Sequence, residues 1–305
     1  MSVKKLHIDK DNSNRRIDNY LMSIYKDLPK SKIYRMIRKG EIRVNSGRIK
    51  PMHKLNENDL IRIPPYLNNT KPVIKKISNE LKNTFKELII YDDDNYIVIN
   101  KPSGTAVHAG SKNNIGLIDI FRSLYNFKID LCHRLDKETS GCIVMAKNKK
   151  ALKLFNNNLA NRSKDLKKTY VAILKGNIKK NIYIDLSIDT NKDSLNKRVS
   201  INNSGKRSKS LFKPIKALKG STLVEIDIFT GRTHQIRVQA ESLGHNVLND
   251  NKYGDKEFNM SIGKSVNKIL ALHSKIIEFQ DESNNIIKVE APIPESFTDL
   301  VDYLN

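Results

Sequence analysis

Apolar residues return every three to four positions over 15–28, with Ile17, Leu21, Ile24 and Leu28 at i, i+4, i+7 and i+11. That spacing lines one face of an α-helix. Pro29 and Lys30 interrupt it. Ser31 is then placed to cap a second helix, with Ile33, Met36 and Ile37 as its apolar face and Gly40 as its stop. Short runs near 42–44 and 60–63 predict two strands, joined through a turn containing Ser46 and Gly47. Residues 64–86 lose the pattern. Pro64-Pro65, Asn68-Asn69, Pro72 and several lysines read as a linker, and apolar residues return only at Leu81 and Phe85.

Beyond that stretch, 88–91 and 96–100 read as strands around the turn Asp92-Asp93-Asp94-Asn95. Further strands are predicted at 168–174, 208–218 and 222–229. The last sets Val224, Ile226 and Ile228 on one face and Leu223, Glu225 and Asp227 on the other, the alternation of a half-exposed strand. Residues 234–243 read as a helix stopped by Gly244. Several strands with a few interspersed helices predict an α+β domain on a mixed sheet over 87–305, behind a small domain at 15–63.

No run of about 18 apolar residues occurs, and none follows the first lysines, so neither a membrane span nor a secretory signal is expected. The chain reads as cytoplasmic. Cys132 and Cys142 have no CxxC or Cys/His pattern. They read as buried small residues rather than as a disulfide or a metal site. Charge changes the picture more. The net charge of +22 points to a polyanion, nucleic acid first. Residues 1–63 hold 16 Lys/Arg against 7 Asp/Glu, so the positive charge is densest there. Lys32, Arg35 and Lys39 fall at i, i+3 and i+7 of the second predicted helix. Such a row can lie along RNA phosphates, though a solvated helix face would carry the same row.

Two strings carry the chemistry. Residues 133–141 read His-Arg-Leu-Asp-Lys-Glu-Thr-Ser-Gly, and 231–237 read Gly-Arg-Thr-His-Gln-Ile-Arg. Taken singly, their members are ordinary. A carboxylate beside cations, such as Asp136, is usually a surface ion pair. Tyr170 alone reads as a strand core residue, and Arg237, four residues before Glu241, as half of a helix salt bridge. In this order and at a domain-sized spacing, and with Tyr-Asp-Asp-Asp-Asn-Tyr-Ile-Val-Ile-Asn-Lys-Pro-Ser-Gly at 91–104, the strings resemble the RluA-type pseudouridine synthases. Residues 15–63 resemble an S4 RNA-binding domain. The resemblance runs from about residue 15 to 303. It departs at Asn246, where the family commonly has proline, and at Asn249, where it often has a small residue.

The resemblance implies isomerisation of uridine to pseudouridine in RNA, at several positions of 23S rRNA. The nucleotide must first be extruded from its stack. A C1′–N1 bond is then broken and a C1′–C5 bond made to the same base. Nothing is oxidised and no group moves elsewhere. One nucleophile and well-placed polar groups therefore suffice, and no cofactor, metal or protein partner is expected of what reads as a monomer. A carboxylate suits the task. By resemblance Asp136 is the nucleophile, and Arg237 is its partner, chosen over lysine for its two-pronged geometry. Tyr170 stacks on the uracil and reaches the C5 proton. Arg134 fills the space of the flipped base, with His133 beside it at the substrate. His133 and His234 serve equally well as supports for their loops, and His108 receives no role. The sequence leaves open whether the covalent bond forms at C6 or C1′. Two other classes fit part of the pattern. An rRNA-binding assembly factor without activity would not need these four residues. A glycosidase-like hydrolase would need a second carboxylate, and only Glu138 offers one.

Overall fold

The break in charge and periodicity after residue 63 has a counterpart in a computed structural model of the chain. It describes residues 4–25, 28–67, 77–109, 115–125, 129–160, 166–189, 198–202, 204–262 and 269–305. The chain divides into two units, residues 1–76 and 77–305.

The first unit holds β1 (Lys4–His7), α1 (Ile17–Ile24), α2 (Lys30–Lys39), β2 (Arg43–Val44) and β3 (Leu60–Ile63). The strands form an antiparallel sheet in the order β1-β3-β2. Its core joins Ile17 and Leu21 of α1 to Ile33, Met36 and Ile37 of α2 and to Ile61 and Ile63 of β3. The helical spacing therefore marks the buried faces. The ends differ from expectation. α1 stops at Ile24, so Leu28 lies beyond it, and residues 26–27 fall outside the described residues. α2 begins one residue before Ser31, with Pro29 at the cap position and its φ of −58° already set by the ring. Gly40 ends it in the left-handed region at φ +71°. β1 lies outside the limits expected for this domain. It is a mostly exposed edge strand with two lysines, so no apolar alternation announces it. On α2, Lys32 is half-buried while Arg35 and Lys39 are exposed.

The second unit holds α3 (Asn79–Lys86), β4 (Ile89–Asp92), β5 (Tyr96–Lys101), α4 (Leu117–Leu124), β6 (Asp130–Leu131), β7 (Ser140–Ala146) and α5 (Lys149–Ala160). It continues with β8 (Lys167–Lys175), β9 (Ile182–Asp189), β10 (Ser200–Ile201), β11 (Lys206–Leu218), β12 (Ser221–Ile228), α6 (Gln235–Ser242), α7 (Lys256–Ser261), β13 (Leu272–Gln280), β14 (Ile286–Glu290) and α8 (Glu295–Tyr303). The sheet runs β10-β9-β11-β12-β8-β13-β7-β5-β4, with β14 on β13 and β6 on β7. β7 and β13 pair in parallel and the other described pairs are antiparallel, so the sheet is mixed as expected. α3 corrects the expected linker. Ser78 caps this helix by accepting from the Leu81 N–H at 3.2 Å, and Phe85 and Leu88 pack on the main core. Only two apolar residues in eight gave too little periodicity to show it. At the other end of that stretch Leu67 is buried in the first unit's core, and 68–76 lie outside the described residues.

β5 and β7 are buried on both faces. Ile97, Ile99, Ile143 and Met145 enter one core cluster, and Tyr96, Val98, Cys142 and Val144 enter another. Strands sandwiched in this way read as continuous apolar runs rather than alternations. Cys132 and Cys142 are both buried and free. At the β7–β13 seam Gly141 pairs with Ser274, and Ser274 pairs in turn with Tyr170 of β8. Gly141 has φ +106°, and a Cβ there would sit 2.2 Å from the Ser274 carbonyl oxygen. Gly141→Ala is therefore expected to cost about 3 kcal/mol from backbone strain and forced separation of the strands. A thermal melt within 1 °C of wild type, on the order of the measurement's own scatter, would contradict this close approach.

Candidate active site

Asp136 lies in the loop that enters β7, and that loop is tied down on several sides. The Thr139 N–H donates to the Asp136 carbonyl at 3.2 Å. Ser140 Oγ lies 2.9 Å from His273 Nδ1. Ser103 Oγ donates to the Glu138 carbonyl at 2.7 Å. Lys101, at the end of β5, is wholly buried. Its Nζ donates to the carbonyls of Pro102, Thr105 and Lys137 at 3.0, 3.1 and 3.0 Å. Burial pushes this ammonium down to about 8, against the pull of Glu138 and Asp136. The Lys-Pro-Ser-Gly string thus does structural work: one lysine joins the β5 turn to the carbonyl next to Asp136.

Arg237 comes from α6, which docks on β11 through two glutamines. Gln235 Oε1 accepts from Thr230 Oγ1 at 2.7 Å and its Nε2 donates to the Lys209 carbonyl at 3.0 Å. Gln239 Oε1 accepts from Ser210 Oγ at 2.8 Å and its Nε2 donates to the Ser208 carbonyl at 3.2 Å. So held, Arg237 lies between two carboxylates. Its Nη1 donates to Asp136 Oδ2 at 3.0 Å, and its Nε and Nη2 fork onto Asp250 at 2.7 and 2.8 Å. Burial opposes the guanidinium charge, but Asp250 and then Asp136 outweigh it and hold Arg237 above its ordinary value. Burial likewise acts on Asp250, yet Arg237 and the N–H groups of Tyr253 and Lys252 hold that carboxyl below its ordinary value. Glu241 does not pair with Arg237. It takes Arg198 at 2.6 Å instead.

Tyr170 is buried on β8, where it faces Ser274 of β13. Burial raises its pKa, with a smaller opposing hydrogen bond from Ser274, so the phenol keeps its proton. Lys168 stands two residues earlier on the same strand face. It is also buried, and burial lowers it to about 8. Asp136, Tyr170, Lys168, Arg237 and the exposed Arg134 line one cavity of about 160 Å³. His133 also borders it. However, its Nε2 accepts the Val144 N–H at 3.1 Å and its ring stacks on Phe155 at 5.9 Å. Burial, then Lys168, holds the imidazole well below its ordinary value, so a neutral His133 is tied to the scaffold. The structure thus brings Asp136, Tyr170, Arg237, Arg134 and His133 together. Lys32, Arg35 and Lys39 belong to the first unit.

Sequence reading missed Asp250, Lys101 and Lys168. Asp250 follows Arg237 by 13 residues, and the family pattern beside it was read only for its departures, so the carboxylate received no role. Lys168 is hidden beside Lys164 and Lys167, and only its place two residues before Tyr170 gave a signal. The two departures from the family pattern fall beside Asp250. Asn249 adopts φ +59°, which asparagine tolerates better than most residues, and Asn246 Nδ2 donates to the Tyr253 carbonyl at 2.6 Å. Here the loop is built with asparagines.

The profile of the RNA pseudouridylate synthase family matches residues 95–242, and that of the S4 domain matches residues 15–61. A ribosomal large subunit pseudouridine synthase C of Haemophilus influenzae is 41% identical over 290 residues, covering 93% of this chain and 89% of its own. Its counterparts in Vibrio parahaemolyticus and Escherichia coli are 39% and 37% identical, over 95% and 96% of this chain and 93% and 94% of theirs. Among solved structures, human RNA pseudouridylate synthase domain containing 4 shares the fold with a TM-score of 0.60 at 23% identity, over 74% of this chain and 96% of its own. Human RNA pseudouridylate synthase domain containing 1 gives 0.56 at 25% identity, over 68% and 83%. These matches and the mixed sheet agree with the α+β synthase domain behind a small S4 domain that the sequence predicts.

Proposed function

The chain belongs to the RNA pseudouridylate synthase family, and from that premise we propose that it isomerises several uridines of 23S rRNA, with Asp136 as nucleophile. The observation that carries this reading is the Asp136–Arg237 contact of 3.0 Å at the cavity that Tyr170 also lines. The target nucleotide flips into this cavity, and the exposed Arg134 takes its place in the RNA stack. Asp136 attacks a carbon of the nucleotide, C6 or C1′, while Arg237 steadies its charge, and this bond breaks again before the product leaves, returning the free carboxylate. The C1′–N1 bond breaks, the base turns, and C1′ bonds to C5. The C5 proton then leaves and N1 takes one up, so no atom is gained or lost. The Tyr170 ring stacks on the uracil, with its protonated hydroxyl beside the turning base. The enzyme acts as a monomer in the cytoplasm, without a protein partner. Mapping pseudouridines in large-subunit rRNA from cells with and without the protein tests the substrate. Loss of specific sites is expected, and an unchanged map sinks the assignment to this RNA.

The S4 domain supplies anchoring in this reading, through Lys32, Arg35 and Lys39. Replacing all three by alanine in the intact chain removes up to three phosphate contacts. At about 0.7 per contact for single strands, the slope of log affinity against log salt should flatten by about two. Turnover should fall at limiting RNA and recover in part at high RNA. A salt titration checks this, and an unchanged slope would mean that the stripe is an ordinary solvated face.

A further inference from the structure

The polar contacts of the Asp136 side chain with described residues converge on one oxygen. Arg237 Nη1 reaches Oδ2 at 3.0 Å, and His234 Nε2 stands 3.7 Å from the same Oδ2. Among the described residues Oδ1 carries none of them. His234 is itself held from behind. Its Nδ1 lies 2.8 Å from Tyr253 Oη, and that oxygen accepts the Val199 N–H at 3.0 Å. Of these two neighbours only His234 can accept the hydroxyl proton. Tyr253 therefore donates to Nδ1, which leaves the proton of a neutral imidazole on Nε2, facing Asp136. The Tyr253 ring also lies under the guanidinium groups of Arg237 and Arg198, 5.1 and 5.0 Å from its centroid. One tyrosine thus sets both donors to Oδ2. The backbone at His234 is fitted to this place. It holds φ +55° at the cap of α6, which aims the ring back toward the loop of Asp136.

We infer that His234, oriented by Tyr253, is a positioning residue that with Arg237 fixes Asp136 by Oδ2 and so presents Oδ1 as the reacting oxygen. This rests on the reading of Asp136 as nucleophile. A separation of 3.7 Å exceeds a hydrogen bond, and contacts in unliganded catalytic sites commonly tighten when substrate binds. Burial, more than any one charged neighbour, holds the imidazole in its neutral form. Burial lowers its pKa, Asp136 opposes this, Arg237 and Lys252 add to it, and Asp250 opposes it weakly.

Three variants test the inference. His234→Leu should lower the single-turnover rate by about ten- to a hundredfold, the equivalent of one hydrogen bond to a charged group, with the half-saturating RNA concentration within about twofold. His234→Gln places an amide N–H near the Nε2 position and should recover most of that loss. Tyr253→Phe keeps the ring under Arg237 but frees the imidazole, and should cost about tenfold in rate. Equal losses for Leu and Gln, or wild-type rates for both, would overturn the inference. A nitrogen-15 spectrum of the imidazole gives a readout apart from activity. His234 should be the Nε2–H tautomer in the wild type and a mixture in Tyr253→Phe, and an Nδ1–H tautomer in the wild type would overturn the inference. If the wild type forms no pseudouridine while this tautomer is found, the proposed function fails and the Tyr253–His234–Asp136 geometry stands.

Discussion

Asp136→Asn is expected to abolish pseudouridine formation, a loss of about 10⁴-fold or more, as removal of a sole nucleophile entails. The substitution keeps the shape of the side chain, and little else should change. Arg237 retains its fork onto Asp250 at 2.7 and 2.8 Å, so its charge stays paired. The loop keeps its ties through Lys101, Ser103 and Thr139, none of which uses the Asp136 carboxylate. The melting temperature should therefore stay within a few degrees, and RNA affinity within a few-fold. Pseudouridine formation by the Asn variant above trace deamidation would remove Asp136 from its role.

Arg237→Met should have the next largest effect, and on two quantities at once. Turnover should drop by several orders of magnitude, because Asp136 loses the cation that orients it. Stability should drop as well. The Asp250 side chain is 0% exposed, and stripping the cation from a buried pair costs about 3–5 kcal/mol. Asp250 has a lowered pKa when folded, so its contribution is present above the ordinary carboxylate range. It is lost as pH falls through the lower folded value. The stability gap between wild type and Arg237→Met should accordingly narrow on acidification. Adding Asp250→Asn to Arg237→Met should restore most of the stability and none of the activity. Arg237→Lys should be intermediate, since one ammonium cannot fork onto Asp250 and also reach Asp136. Denaturant melts and rate measurements on these four proteins check the set. A stable, fully active Met variant would leave Arg237 as an ordinary helix residue.

The sequence showed the site's actors more clearly than its supports. Asp136 and Arg237 stand in long strings, and a residue inside a recognisable string can be named before any fold is known. Asp250 and Tyr253 stand in a loop whose order comes from tertiary contacts: a fork onto Arg237 from one, and a hydroxyl shared by His234 and Val199 from the other. No local pattern encodes such contacts. Glu241 shows how spacing read alone would mislead. Its i+4 spacing from Arg237 suggested a helix pair, but α6 is packed so that Arg237 turns inward while Glu241 meets Arg198. Among the elements, β12 was legible because its burial alternates residue by residue. β1 and α3 were not, since one is an exposed edge strand and the other carries two apolar residues in eight.

The most direct test of the account uses a 23S rRNA transcript labelled with tritium at uridine C5. Conversion to pseudouridine replaces the C5–H bond by the bond to C1′, so label passes to water while the base stays in the chain. The account predicts tritium release by the wild-type protein, with pseudouridine in the digested RNA, no free uracil, and no release by Asp136→Asn. Tight binding without release would mark an assembly factor, free uracil would mark a hydrolase, and either result would contradict it.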